Sequence, residues 1–575
     1  MNRNYRNCPI PLFDREINQS IGLMLLERSA PWLDQPVLAE RQGNDYRPIS
    51  WKKFLDDTAG LVDFFNRQGI RKGDRLAVFS PNSYAMLVWE MAAVFMGAVS
   101  VSIFAGYDTR HIDSILHNAE PDAIYVDSEK RFDRLLACTY TRRLRFIVTS
   151  FSSPYIKLAD CLAGGARESL FDRVRAVDPG DAAFIQYTSG TTGQPKGVML
   201  SHKNIVSQRR SQDKIWTIAP GSRFLSYLPW HHSYGGLFER FAALFHGAAL
   251  YLEDSLGKDT GRLIDNWRLV RPTHFFSVPR VYRALVSEAR SDPRTRDTLF
   301  HPDLHFVFTA AAPLPADVDD YFSGLNVEVL EGWGLTETSP TVTMTRLGSK
   351  RYHSFVGQPI PGSEVLVADD GEIRVRGPNL MTGYFQDPER TAGAIDSDGW
   401  LKTGDIGELG PEGLKLKSRR DGLFKLSNGE MVSCSEVENA LTASSTWTGQ
   451  AVAVGAGQNF VAALLFPNFR RLEDWARQNN RHLPQGWEIG RDKDIRELFY
   501  REVEQFCRDL YPPYLRVKAF VVVPHELSVE GGSLTPSLKV VRFQVMQEYQ
   551  EWIKAIFDPG LYPERLPDIA FLKPH

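Results

Sequence analysis

The sequence predicts an α/β fold: a large N-terminal domain of parallel-rich sheets covered by helices, a small β-barrel, and a smaller α+β C-terminal domain. Three observations carry this. Apolar strand-like runs alternate with helical patterns from Ile49 to Leu330, which implies parallel sheets with helices on their faces. From Gly357 the texture changes to short segments punctuated by Gly362, Gly371, Gly377 and Gly383, as in a small barrel. After Arg419 helical patterns dominate again. A chain of 575 residues is too long for one core. The expected division is residues 1–417, with the barrel at about 357–417, and residues 418–575.

In chain order, Ile49-Ser-Trp-Lys-Lys-Phe opens a helix to about Arg67, with Leu55, Leu61, Val62 and Phe65 on one side and Gly69 as its stop. Arg75 to Ser80 reads as a strand, Ser83 to Gly97 as a helix and Val99 to Phe104 as a strand. Ala123 to Asp127 and Arg145 to Thr149 are strands separated by a helical segment. Ala182 to Ile185 is a buried strand end, and a helix starts near His202 with Ser201 as its cap. Strands follow at Arg223 to Leu228, Ala248 to Leu252, Thr273 to Ser277, His305 to Thr309 and Val327 to Leu330. Each runs into a polar or glycine-bearing loop, and ligands of open parallel sheets gather at the carboxyl ends of strands, so these loops should converge. Glu372-Ile-Arg-Val-Arg-Gly alternates as a half-exposed strand does. The C-terminal domain should hold helices at Ser435 to Leu441, Leu472 to Gln478, Arg491 to Leu510 and Phe543 to Phe557. The last places Met546, Tyr549, Ile553 and Ile556 on one face, and its polar face is acidic and amide-rich with Lys554 as the basic residue. Interfacial membrane helices carry a basic polar face, so this helix is expected to pack on its own domain.

Composition excludes several classes. Hydrophobic residues make up 43% and charged residues 24%, and 67 basic against 70 acidic side chains leave a net charge of −3 with no basic run, which argues against nucleic acid. Cys8, Cys138, Cys161, Cys434 and Cys507 are scattered without a C-x-x-C pair, and read as buried or idle thiols in a reducing compartment. No H-E-x-x-H pattern suggests zinc. Residues 1–20 are polar and do not read as a signal peptide, and Leu572-Lys-Pro-His carries no lipidation signal. The apolar stretch Ala85 to Val99 is broken by Glu90 and too short to span a bilayer. The expectation is a cytoplasmic protein without a transmembrane segment; peripheral membrane contact and oligomeric state stay open.

Residues 187 to 197 read Tyr-Thr-Ser-Gly-Thr-Thr-Gly-Gln-Pro-Lys-Gly. Thr188, Ser189, Thr191 and Thr192 supply hydroxyls, Gly190, Gly193 and Gly197 permit tight turns, and Lys196 adds one positive charge. Such a loop wraps phosphate oxygens. It is not a Walker A loop, and on composition alone it could be a flexible linker, against which the apolar strand before it argues. Five more segments stand out: Leu228-Pro-Trp-His-His232, Thr309-Ala-Ala-Ala-Pro-Leu314, Glu331-Gly-Trp-Gly-Leu-Thr-Glu-Thr338, Asp398-Gly-Trp-Leu-Lys-Thr-Gly-Asp405 and Gly532-Ser-Leu-Thr-Pro-Ser-Leu-Lys539. Taken singly they read as an aromatic core loop, small-residue packing, a solvated turn, a glycine turn and a surface loop.

Together, and in this order, they resemble the motifs of the acyl-adenylate-forming (AMP-binding) superfamily over roughly residues 20 to 545, and within it the chain resembles long-chain fatty acyl-CoA synthetases. The resemblance implies two sheets in the N-terminal domain, a mobile C-terminal domain, and the co-substrates ATP and coenzyme A with Mg²⁺. It places Thr188, Ser189, Gly190, Thr191, Thr192, Gly193 and Lys196 around the phosphates, and His232 near the carboxylate being activated. Ala311, Ala312, Trp333 and Gly334 would flank the adenine, although Ala310 stands where the family has glycine. Thr336 would donate to the α-phosphate and Glu337 would hold Mg²⁺. Asp405 would grip the ribose hydroxyls with Arg419, for which Arg420 is the one-residue alternative; Ser418 departs from the usual hinge residue. Lys539 would bridge carboxylate and α-phosphate in the first step. The activity implied is activation of a small-molecule acid, of medium or long chain, to acyl-AMP, then transfer to coenzyme A. The long-chain type rests on Leu534-Thr-Pro-Ser-Leu-Lys539 and the long segment Asn468 to Leu515. A ligase that loads a carrier-protein thiol and an inactive nucleotide-binding protein are the alternatives.

Overall fold

The computed structural model describes residues 12, 14–189, 195–312, 314–352, 354–442, 445–509, 512–528, 531–534, 540–558 and 568–572. They fall into two compact units: residues up to 188, 195–403 and 408–415 in one, and residues 189, 404–407 and 416 onward in the other.

The first unit holds two large sheets. One has eight strands in the spatial order Gly383–Tyr384, Pro195–Ser201, Ala182–Ser189, Val99–Ile103, Arg75–Phe79, Ala123–Val126, Phe146–Thr149 and Ile156–Lys157. From Ala182–Ser189 to Ile156–Lys157 every pairing is parallel, and Gly383–Tyr384 adds an antiparallel edge. The other has nine strands in the order Gln358–Pro359, Thr343–Met344, Val329–Trp333, Phe306–Thr309, His274–Ser277, Arg223–Ser226, Ala249–Leu252, Pro36–Gln42 and Asp45–Ser50. Its middle is parallel and its two edges antiparallel. Helices Trp51–Arg67, Tyr84–Phe95 and His202–Asp213 are started by Ser50, Ser83 and Ser201, whose hydroxyls accept the backbone N–H three residues on. One continuous apolar core joins both sheets and these helices, from Leu76 and Phe184 to Phe224, Phe276 and Phe308.

Glu90, which interrupts the apolar run, is fully buried and pairs with the equally buried Arg240. Ser100 and Ser102 donate to its Oε1 at 3.0 and 2.6 Å. The pair ties helix Tyr84–Phe95 and strand Val99–Ile103 to helix Arg240–His246. Removing one partner of such a pair strands a charge and costs about 3–5 kcal/mol.

The stretch expected as a small barrel holds a four-stranded sheet in the order Glu364–Val367, Glu372–Arg376, Leu401–Gly410 and Gly413–Arg419. In the second unit a sheet ordered Thr448–Val454, Val461–Pro467, Val517–Val522 and Ala570–Phe571 is covered on both faces. Alternate residues sort accordingly. Ala451, Ala453, Ala463 and Leu465 join the cluster with helices Cys434–Thr442 and Lys493–Asp509; Val452, Val454, Ala462 and Leu464 join Val545, Tyr549 and Ile556. The four described cysteines are buried, and no helix among the described residues is long and apolar enough to cross a membrane.

Three sequence expectations need correction. The strand before the glycine-rich loop runs on to Ser189 instead of ending at Ile185, because pairing to Val99–Ile103 carries it through the polar Gln186. The strand expected at Val327 to Leu330 is Val329–Trp333, since pairing with Thr343–Met344 extends it into the motif. The single helix expected over Phe543 to Phe557 is two, Arg542–Glu548 and Gln550–Phe557, broken at Tyr549, whose buried ring packs edge-on against Phe466.

Candidate active site

Three chain segments far apart in sequence meet at one carboxylate. Strand Val329–Trp333 ends in a tight turn, Thr336–Thr338, that carries Glu337. Strand Pro195–Ser201 carries Lys196, and strand Gly383–Tyr384 pairs against it with Tyr384 opposite Val198. Lys196 Nζ donates to Glu337 Oε1 at 2.8 Å and to Tyr384 Oη at 3.0 Å, and Tyr384 Oη donates to the same Oε1 at 2.8 Å. Nζ also lies 4.7 Å from the centre of the Tyr384 ring. Burial pushes the Glu337 carboxyl up, but the Lys196 charge and the two hydrogen bonds outweigh it and hold the group below its ordinary value. Burial and the Glu337 charge together push the Tyr384 phenol up, so it stays a donor.

The turn is held by close packing and by side chains from other segments. A Cβ on Gly334 would lie 1.9 Å from the Pro340 carbonyl oxygen. Gln208 Nε2 donates to the carbonyls of Thr338 and Thr341 at 3.2 and 2.5 Å, and Asn379 Nδ2 donates to the same two at 3.1 and 3.2 Å. Met381 N–H donates to the Glu337 carbonyl at 2.8 Å. Thr336 Oγ1 lies 3.0 Å from Ser233 Oγ, which joins this turn to the loop Tyr227–His232. That loop is pinned by Asn82, whose Nδ2 donates to the Leu228 carbonyl at 2.8 Å and whose Oδ1 accepts from Trp230 N–H at 2.9 Å. His232 Nδ1 accepts from Tyr234 N–H at 3.3 Å. Burial, and next the neighbouring His232, push the His231 imidazole down to about 3, so it is neutral at physiological pH; it packs 4.4 Å from Phe104.

Ala310 to Ala312 follow strand Phe306–Thr309, with Ala311 and Ala312 exposed and Ala311 in the left-handed region at φ +74°. Trp333 is only 8% exposed, which leaves little of its ring for a base to stack on. Thr188 Oγ1, at the end of its strand, is buried without a hydrogen-bond partner among the described residues. The Ser189 side chain, Gly190, Thr191, Thr192, Gly193 and Lys539 lie outside the described residues. Leu534 and Val540, which flank residues 535–539, form an antiparallel bridge. In the second unit Arg419 Nε lies 3.5 Å from Asp405 Oδ1, and the Asp405 carboxylate is nearly buried.

The geometry thus gathers Lys196, Thr336, Glu337 and the His232 loop in one unit, and Asp405 with Arg419 in the other. Sequence reasoning missed Tyr384, Ser233, Asn82, Gln208 and Asn379. Gly383-Tyr384 is a local signal too short to single out; its role comes from strand pairing. Among the described residues no group of three or more His, Cys, Asp or Glu could hold a metal alone. A single buried carboxylate instead fits Mg²⁺, which binds one or two carboxylates and completes its shell with phosphate oxygens and water. The orphaned Thr188 hydroxyl and the Lys196 ammonium fit a nucleotide phosphate.

The AMP-binding enzyme family matches residues 26–385, and the AMP-binding enzyme C-terminal domain matches residues 421–560. The chain belongs to the AMP-binding enzyme family. It is therefore an acyl-adenylate-forming ligase of the acid–thiol type. This AMP-binding enzyme is 26% identical over 593 residues to long-chain-fatty-acid–CoA ligase 1 of Cavia porcellus, covering 91% of this chain and 84% of that protein. It is 24% identical over 632 residues to the chloroplastic long-chain-fatty-acid–acyl-carrier-protein ligase AEE15 of Arabidopsis thaliana, covering 91% and 85%. Among solved structures, ATP-bound MatB from Rhodopseudomonas palustris superposes with a TM-score of 0.73 at 22% identity, over 92% of this chain and 99% of that one. The A-PCP didomain of a carboxylic acid reductase from Segniliparus rugosus gives 0.75 at 19% identity, over 95% and 83%. These two likenesses establish the fold.

Proposed function

We propose that this enzyme activates a medium- or long-chain fatty acid with ATP and passes the acyl group to coenzyme A. The observation that carries the reading is the buried Lys196–Glu337–Tyr384 triangle beside Thr336. A charged site of this kind suits an anionic phosphate chain and its cation. The names of the relatives favour a fatty acid.

In the first step a carboxylate oxygen attacks the α-phosphorus, the bond to the bridging oxygen breaks, and pyrophosphate leaves with that electron pair. In the second the coenzyme A thiolate attacks the acyl carbon and AMP departs. The loop 188–193 and Lys196 hold the phosphates, Thr336 donates to the α-phosphate, and His232 lies beside the incoming carboxylate. Ala311, Ala312, Trp333 and Gly334 border the base, and Asp405 with Arg419 takes the ribose. Glu337 would hold Mg²⁺, which when bound neutralises phosphate charge. Lys539 stabilises the charge passing to the leaving group. No side chain forms a covalent bond; catalysis is positioning and charge stabilisation. Residues 418–575 act as a domain that swings between the two steps.

A panel of straight-chain, branched, aromatic and amino acids, read by pyrophosphate release with coenzyme A, with an acyl carrier protein, or with neither, tests this. The expected result is turnover on medium or long straight-chain acids that needs coenzyme A. Turnover with the carrier protein alone would transfer the reading to an acyl-carrier ligase, which the AEE15 likeness makes the second candidate. No pyrophosphate from any acid would point to an inactive nucleotide-binding protein.

A further inference from the structure

Strand Gly383–Tyr384 is attached to both sides of the site. At one end Met381 N–H holds the Glu337 carbonyl; at the other Phe385 N–H donates to the Gly197 carbonyl at 2.8 Å, next to Lys196. Tyr384 N–H donates to Thr391 Oγ1 at 2.9 Å, and a Cβ on Gly383 would press against Thr391 at 2.9 Å, so the segment has little freedom to slide. Its one hydroxyl is shared between the Glu337 carboxylate and the Lys196 ammonium.

We propose that Tyr384 is a positioning residue that keeps Glu337 aimed while the carboxylate exchanges Lys196 for a divalent cation. Without nucleotide, the Lys196 ammonium neutralises the buried carboxylate. When phosphates draw Lys196 away, Glu337 loses a charge-assisted hydrogen bond and gains a metal, and the Tyr384 hydroxyl is the contact that persists through the change. Groups that hydrogen-bond a metal's carboxylate set its direction, and losing one lowers metal affinity about 10- to 100-fold. The inference rests on the reading of Glu337 as the carboxylate that holds Mg²⁺.

The test uses the full chain and α,β-methylene-ATP, which cannot be split at the reacting bond. Calorimetry gives its affinity with Mn²⁺ and, in EDTA, without metal; the ratio isolates the metal's contribution. Tyr384→Phe keeps the ring under Lys196 and removes the hydroxyl. It is expected to lower the ratio about tenfold, with metal-free binding changed less than about twofold. In the Glu337→Gln background the same change is expected to add less than about twofold, because Tyr384 acts through Glu337. If Glu337→Gln lowers the ratio and Tyr384→Phe does not, or if the two losses simply add, the positioning role is overturned and the metal role of Glu337 stands. If Glu337→Gln leaves the ratio unchanged, both are overturned. If Tyr384→Phe fails to fold, Tyr384→Gln, which keeps a donor without the ring, replaces it. A ratio lowered from wild type that falls no further when combined with Glu337→Gln supports the role, and a ratio equal to wild type, or a loss that adds to that of Glu337→Gln, overturns it.

Discussion

Ala311 adopts φ +74° while exposed at the end of strand Phe306–Thr309. The left-handed backbone costs a non-glycine residue about 1–2 kcal/mol, and a β-branched residue more. Ala311→Gly is expected to change stability by less than about 1 kcal/mol, since relief of strain offsets glycine's entropy. Ala311→Val should cost about 2 kcal/mol or more, and paired urea titrations would separate them. His202 offers a pH test. It is fully buried, and its Nδ1 accepts from Ile21 N–H at 3.2 Å, a bond that a proton on Nδ1 would abolish. Burial pushes its imidazole down from 6.5 to about 4. The unfolded chain therefore takes up this proton first as pH falls. The stability is complete above pH 6.5 and is lost toward pH 4, at on the order of 1 kcal/mol per unit. Denaturation midpoints of wild type and His202→Gln at pH 7 and 5 should show a smaller acid loss in the variant; equal losses would acquit His202. At this scale Lys196, Thr336 and Glu337 could be singled out from the sequence, because each stands in a string whose order carries a resemblance. Tyr384 was not, because a tyrosine after glycine says nothing until pairing sets it against Lys196.

Among the elements, the loop Tyr227–His232 and the following π-helical turn Tyr234–Glu239 are locked backbone to backbone. A Cβ on Gly236 would lie 1.9 Å from the Trp230 carbonyl oxygen. Gly236→Ala is expected to cost about 3 kcal/mol or more, since neither backbone can yield. Gly324→Ala, with nothing within 4 Å of the added carbon, should be neutral or stabilising by up to about 1 kcal/mol. Thermal denaturation of both variants distinguishes packing from propensity. The helix pair Arg542–Glu548 and Gln550–Phe557 spends Val545, Tyr549 and Ile556 on the apolar cluster of its own unit. The intact chain is expected not to float with anionic vesicles through this face, and flotation lost on Ile556→Ser would contradict that. The helix start at His202 was readable from its cap Ser201, whereas the break at Tyr549 follows from packing on Phe466 that no local pattern announces.

At the scale of the whole molecule, the proposed swing of residues 418–575 separates two half-reactions. Lys539→Ala is expected to slow acyl-AMP formation about 10²- to 10³-fold, the loss that follows one preorganised charge-stabilising donor. The same variant given synthetic acyl-AMP and coenzyme A should turn over within a few-fold of wild type. Equal losses in both assays, or in neither, would remove Lys539 from the adenylation step.

The sequence by itself determined the fold class, the order of elements and the family resemblance. Hydrophobic period, capping hydroxyls and glycine placement act over a few residues, and residue order is enough to read them. Tertiary structure alone decided which charges meet. Glu90 faces Arg240, Lys196 and Tyr384 converge on Glu337, Asn82 pins the backbone at Trp230, and Gln208 and Asn379 pin the backbone at Thr338 and Thr341. Each partnership joins segments far apart in the chain, and each is set by strand register and by the need of buried polar groups for partners. Those constraints exist only once the sheets have formed.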